Sequence, residues 1–158
     1  MSAVKADQTA RQVYLHPGQI FATADPAVVT TILGSCVAVC LFDPVSRVTG
    51  INHYLLAKNP SRGTDNARYG DTAMEELLAA MGKHGAKVDR VVAKMFGGAC
   101  VLPVMAASKF RSIGDQNVEV AKKFLESHRI EIAANETGGG RGRKLVLDSE
   151  GGAWIKEL

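Results

Sequence analysis

Cys36-Val37-Ala38-Val39-Cys40-Leu41-Phe42 is apolar at every position. A strand with one wet face alternates apolar and polar residues, whereas a strand covered on both faces does not. This stretch is therefore expected as an inner strand with a packed layer on each side. Just beyond it, Asp43-Pro44-Val45-Ser46 has Asp at the first and Pro at the second position of a type I turn. Val48 to Ala57 then returns as the next strand. Just before it, Val28 to Leu33 is another β-branched run, joined through Gly34-Ser35. Glycine followed by any residue is a type II′ hairpin pattern, so a tight hairpin is expected there.

Further out, residues 1–12 read as a loose polar tail, and 13–158 as one domain. Val13 to Thr23 is a short apolar stretch interrupted by the turn signal His16-Pro17-Gly18. Lys58 to Tyr69 carries Pro, Gly and Asn and reads as a flexible loop. A helix is expected over Asp71 to His84, with Ala73, Leu77, Leu78 and Met81 as its apolar stripe. Thr72 and Glu75 have capping-box spacing at its start. Val88 to Phe96 reads as a strand ended by Gly97-Gly98. A second helix spans Ile113 to His128, with Val118, Ala121, Phe124 and Leu125 inward. Ile130 to Asn135 is a strand, Thr137 to Gly142 a glycine-rich loop, and Lys144–Leu147 with Trp154–Leu158 a closing hairpin. Many strands and two helices predict a single α+β domain, with β-sheets packed together and helices flanking them.

The 158 residues suit one domain that needs no disulfide or metal to fold. Hydrophobic residues at 46% and charged residues at 22% exclude a disordered chain. No apolar run reaches the ~18 residues of a membrane span, and Met1 to Gln12 has no apolar leader. A cytoplasmic protein without membrane insertion is expected. The net charge of +3 is too small to argue for nucleic acid. Gly138-Gly139-Gly140-Arg141-Gly142-Arg143 lacks the lysine and strand-to-helix context of a phosphate loop and reads as a hairpin loop. Cys36, Cys40 and Cys100 do not form a disulfide framework. On one strand Cys36 and Cys40 lie about 13 Å apart at ~3.3 Å per residue, too far to bridge. They have no second ligand pair for a metal, so no cofactor is expected.

Chemistry concentrates between Thr30 and His53. If Asp43–Ser46 is the loop, Phe42 pairs with Arg47 and Cys36 falls directly opposite His53. Opposed side chains share a face with Cβ atoms about 4.5–5.5 Å apart. A thiol beside an imidazole is a nucleophile with its base, and the pair is expected to shift toward thiolate and imidazolium. The backbone N–H groups around Gly34-Ser35 offer an oxyanion site. The imidazole needs a third group to orient it. Thr30 and Thr31 both qualify: a two-residue hairpin puts Thr31 on the Cys36 face, and a bulge would put Thr30 there.

Several blocks carry a resemblance. They are Leu15-His16-Pro17-Gly18, Thr31-Ile32-Leu33-Gly34-Ser35-Cys36-Val37-Ala38-Val39-Cys40, Gly50-Ile51-Asn52-His53-Tyr54-Leu55-Leu56 and Arg68-Tyr69-Gly70-Asp71-Thr72-Ala73-Met74. Lys94-Met95-Phe96-Gly97-Gly98-Ala99, Ile113-Gly114-Asp115-Gln116-Asn117 and Asn135-Glu136-Thr137-Gly138-Gly139 with Arg141-Gly142-Arg143 continue it. The chain from Val13 on resembles the bacterial chemoreceptor glutamine deamidases, the CheD-like proteins. That resemblance implies a Cys-His-Thr site with Cys36 as nucleophile and His53 as base. It implies Thr30 as the third member, since the family's threonine stands six residues before its cysteine; Thr31 is the alternative. It also implies a protein-glutamine glutaminase that converts receptor glutamines to methylatable glutamates and so tunes chemotactic adaptation. The implied partners are the cytoplasmic helical domain of methyl-accepting chemotaxis proteins and a CheC-type phosphatase. Cys36 is then expected to be partly exposed, with the 58–69 and 137–143 loops at its rim. The alternative readings are a general cysteine hydrolase such as a peptidase or methylesterase, a non-catalytic binding module of the chemotaxis array that keeps the fold, and a nucleic-acid binder.

Overall fold

The all-apolar stretch forms β4 (Val37–Asp43), the middle strand of a five-stranded sheet. A computed structural model describes residues 10–101 and 111–158. In chain order the elements are β1 (Arg11–Tyr14), β2 (Ile20–Thr23), β3 (Ala27–Leu33), β4, β5 (Val48–Asn52), α1 (Gly70–Gly82), β6 (Val92–Gly97), α2 (Ile113–Ser127), β7 (Glu131–Thr137), β8 (Arg143–Asp148) and β9 (Ala153–Glu157). One sheet has the order β2-β5-β4-β6-β7 and the other β1-β3-β8-β9. Of the expected tail, residues 1–9 lie outside the described residues, while Arg11 and Gln12 belong to β1.

The two faces of β4 explain its composition. Val37, Val39 and Leu41 pack under α1 and α2 with Met74, Leu77, Met81, Ala121 and Leu125. Ala38 and Cys40 point the other way, into a second core with Ile51 and Phe96 from the same sheet and Val29, Leu33, Leu145 and Leu147 from the other. The result is three layers: a four-stranded sheet, a five-stranded sheet and a helical layer. Each fully buried Leu, Val or Met contributes about 1.5–3 kcal/mol of transfer free energy. The α+β class is therefore as expected. Among the described residues, no helix is long and apolar enough to cross a membrane.

Three local expectations are corrected. Gly34-Ser35 does not close a hairpin, because β3 pairs with β1 and β8 in the four-stranded sheet while β4 lies in the other. Gly34–Cys36 instead carries the chain across the gap between the sheets. The β4–β5 loop is Pro44–Arg47 rather than Asp43–Ser46, since Asp43 pairs with Val48. The fully buried Asp43 carboxylate receives Arg90 Nε and Nη2, Lys87 N and Val45 N. Those bonds hold Asp43 in the strand, and Arg47 closes the loop with φ 60°. Burial raises the Asp43 pKa, but the Arg90 and backbone donors outweigh it and hold the group well below the usual carboxylate range. Finally, Thr72 is not a cap. Tyr69 occupies the N-cap of α1, and the Thr72 hydroxyl donates to the carbonyl of Asn66 at 2.6 Å. The capping box belongs to α2, between Ser112 and Asp115.

Candidate active site

The five-stranded sheet brings His53 to the layer between the sheets. Past Asn52, Val37 and Tyr54 bridge β4 to the continuing chain and exchange two hydrogen bonds, at 3.2 and 3.1 Å. That register puts His53 opposite Ala38 and Cys36 opposite Leu55. Cys36 and His53 are therefore diagonal neighbours on one face rather than directly opposed. The register has slipped by two residues from the expected one, which leaves the face unchanged because side chains alternate with period two. Diagonal positions are about 7–8 Å apart, within reach of long side chains. His53 faces the small, fully buried Ala38 and is itself almost fully buried.

Thr31, not Thr30, meets the imidazole. Thr31 is fully buried between the sheets beside Val29 and Leu33. Its Oγ1 lies 2.7 Å from His53 Nδ1 and 2.7 Å from the Leu15 carbonyl oxygen. Thr30 belongs to the opposite face of β3 and is only half-buried. The pleat of β3 thus brings Thr31, the alternative, to the imidazole and leaves the implied Thr30 on the other face.

The Thr31 bonds also fix the tautomer. A carbonyl can only accept, so the single hydroxyl hydrogen of Thr31 goes to Leu15. The same oxygen must then accept from His53 Nδ1–H. In a neutral imidazole that leaves Nε2 as the lone-pair nitrogen. Among the described residues, Nε2 is buried without a hydrogen-bond partner.

Cys36 is half-buried, whereas Cys40 is buried in the second core. It lines a cavity of about 270 Å³ with Ser35, Leu55, Leu56, Arg68, Tyr69 and Ile113. Arg68 and Tyr69 place the end of the 58–69 segment at the rim. That segment is not a bare loop: Asn59 Nδ2 donates to Thr64 O, Asn66 Oδ1 and Thr72 Oγ1. Burial pushes the Cys36 thiol above its ordinary pKa, opposed by its own backbone N–H. Burial pushes His53 down to about 4. Both shifts favour a neutral thiol and a neutral imidazole over the ion pair expected from their proximity.

The carbonyls of Gly34, Ser35 and Cys36 are all engaged. Gly34 O accepts from Ala99 N at 2.9 Å, Ser35 O from Asn117 Nδ2 at 3.0 Å and Cys36 O from Gly98 N at 2.8 Å. In a trans peptide C=O and N–H point in opposite directions. The N–H groups of Ser35 and Cys36 are therefore turned away from Ala99 and Asn117. The glycine-rich segment braces this arrangement from behind rather than forming the rim. Gly138 N and Arg143 Nη1 both donate to Gly97 O, and Arg143 Nη2 donates to Gly138 O. Sequence reading missed Asn117 and the role of Gly97-Gly98. Only the glycine pair has a local signal, as the end of a strand.

A pH effect on stability follows from His53. Its pKa falls from 6.5 in the unfolded chain to about 4 in the fold. Between those values the unfolded chain binds a proton that the folded chain refuses, so stability declines as pH is lowered through that window. The full loss is on the order of 3 kcal/mol. Urea titrations at pH 7 and pH 4 measure it as the difference in acid sensitivity between the wild type and His53→Gln. Equal acid sensitivity in the two would contradict a buried neutral histidine.

Comparison with known proteins gives concordant matches. The family model described as "CheD chemotactic sensory transduction" matches residues 55–157. A relative from Anaeromyxobacter dehalogenans (strain 2CP-C), named "Probable chemoreceptor glutamine deamidase CheD 1", is 45% identical over 93% of this chain and 85% of its own. Relatives of the same name without the numeral occur in Rhodospirillum rubrum and Sulfurimonas denitrificans. The first is 46% identical over 82% of this chain and 72% of its own. The second is 40% identical over 88% of each.

Proposed function

This chain belongs to the CheD family, and from that premise we propose that it hydrolyses the side-chain amides of chemoreceptor glutamines, using Cys36 as nucleophile. The observation that carries the mechanism is the buried, unpartnered Nε2 lone pair of His53, held in that tautomer by Thr31. His53 takes the thiol proton as Cys36 Sγ attacks the carboxamide carbon. The carbonyl π pair moves to oxygen, and the N–H groups of Ser35 and Cys36 stabilise the oxyanion. The tetrahedral adduct collapses, the C–N bond breaks, and the imidazolium proton leaves with the nitrogen as ammonia. A γ-glutamyl thioester remains. His53 then removes a proton from water, the resulting hydroxide attacks the thioester, and the thiol leaves with that proton restored. The product is glutamate.

A neutral resting pair suits this sequence, because the proton moves only as the bond forms. The glutamates produced are sites for methylation, so the reaction tunes chemotactic adaptation. The substrate is the cytoplasmic helical domain of methyl-accepting chemotaxis proteins, and the enzyme acts in the cytoplasm. A CheC-type phosphatase as second partner rests on the family resemblance.

The reading is tested with a receptor cytoplasmic fragment, by ammonia release together with peptide mapping. Ammonia should appear in step with conversion of particular glutamines to glutamate. Ammonia without glutamate, or no conversion in any receptor of the same genome, would count against it.

A further inference from the structure

Asn117 takes no part in the steps above, yet it ties α2 to the nucleophile. It is fully buried. Its Nδ2 donates to Ser35 O at 3.0 Å and to Leu55 O at 2.9 Å. Its own backbone carbonyl accepts the Tyr54 hydroxyl. Both side-chain partners are carbonyls, so only the amide nitrogen can face them. The price of that orientation is an Oδ1 buried without a partner among the described residues. Such a group is normally selected against in a core, which makes the two donated bonds the reason for its presence. They bracket the site: Ser35 precedes the nucleophile, and Leu55 lines the Cys36 cavity.

We propose that Asn117 is a positioning residue for the oxyanion: by holding the Ser35 carbonyl it sets the Ser35–Cys36 peptide plane and aims the Cys36 N–H at the reacting carbonyl. This rests on Cys36 as the nucleophile. The capping box of α2 and the Tyr54 hydroxyl bond secure the helix independently. Loss of the Asn117 amide therefore loosens the peptide plane while leaving the helix docked. A merely structural Asn117 would affect all Cys36 chemistry alike. A positioning residue affects only reactions that pass through an oxyanion.

Two reagents separate these cases without any receptor. Acylation of Cys36 by p-nitrophenyl acetate passes through a tetrahedral oxyanion, whereas alkylation by iodoacetamide displaces iodide and forms none. Both rates are read by peptide mapping at Cys36, in wild type, Asn117→Ala, Asn117→Ser and Tyr54→Phe. Serine is too short to span both carbonyls and serves if the alanine variant does not fold. In the Asn117 variants acylation should slow by roughly 10²-fold and alkylation by less than about threefold. Tyr54→Phe should keep the wild-type ratio. An unchanged ratio in a folded Asn117 variant, or equal slowing of both reactions, would overturn the assignment. So would a drop in the ratio with Tyr54→Phe as large as with Asn117→Ala. Failure of the wild type to deamidate receptors would overturn the proposed function and leave this comparison standing.

Discussion

Gly97→Ala should destabilise the fold by about 2–6 kcal/mol, combining backbone strain with overpacking. Gly97 has φ +106°, and a Cβ there would sit 2.2 Å from the Cys36 carbonyl oxygen. The obstacle is backbone, not the end of a side chain that can swing aside. Nor can Gly97 retreat, because its own carbonyl is held by Gly138 N and Arg143 Nη1. Since the atom struck belongs to Cys36, the proposed nucleophile, activity should fall with stability. Gly82→Ala is the control: it ends α1 with nothing within 4 Å of a new Cβ. That change should move stability by less than about 1 kcal/mol. Denaturant titration measures both, and a Gly97→Ala chain as stable as wild type would contradict the packing described.

His53→Gln should slow deamidation by roughly 10²–10⁴-fold, the usual effect of removing a general base. Thr31→Val should cost about 10-fold to 10²-fold, because the Nδ1–H bond that fixes the tautomer is lost while the imidazole stays. Thr30→Val should change the rate by less than about threefold, since that residue lies on the other face of β3. Initial rates with one receptor fragment order the three variants. A Thr30→Val effect larger than that of Thr31→Val would return the third role to the position the family resemblance implies.

Parity, rather than register, made the site legible in the sequence. Cys36–Phe42 announced a strand covered on both faces, and β4 is one. The face shared by Cys36 and His53 survived a two-residue slip because period two is insensitive to even shifts. The slip itself was hidden. It depends on Asp43 being anchored by Arg90, which stands far along the chain and carries no local mark as a partner. The hairpin expected at Gly34-Ser35 was the wrong connection. Glycine followed by serine is equally compatible with a crossing between sheets, and only the pairing of β3 with β8 decides. Thr31 could be favoured from alternation alone, with the imidazole tautomer following only once the Leu15 carbonyl is seen beside it. Asn117 closes one of the blocks that carry the resemblance, but nothing local marks it as a partner of the Cys36 segment. It reads as a polar residue on an amphipathic helix, and its two acceptors lie in loops from distant parts of the chain. The Ser112-x-x-Asp115 spacing carries the same kind of capping signal as Thr72 and Glu75, and only the fold shows that the former is used.

Central to all of this is amide hydrolysis through Cys36. The most direct test is intact-mass spectrometry of a receptor cytoplasmic fragment after incubation with wild type and, separately, with Cys36→Ala. The expected result is a gain of about one dalton per modified glutamine with wild type and none with the variant. The same gain with Cys36→Ala would contradict it, because the thiol would then not be the nucleophile.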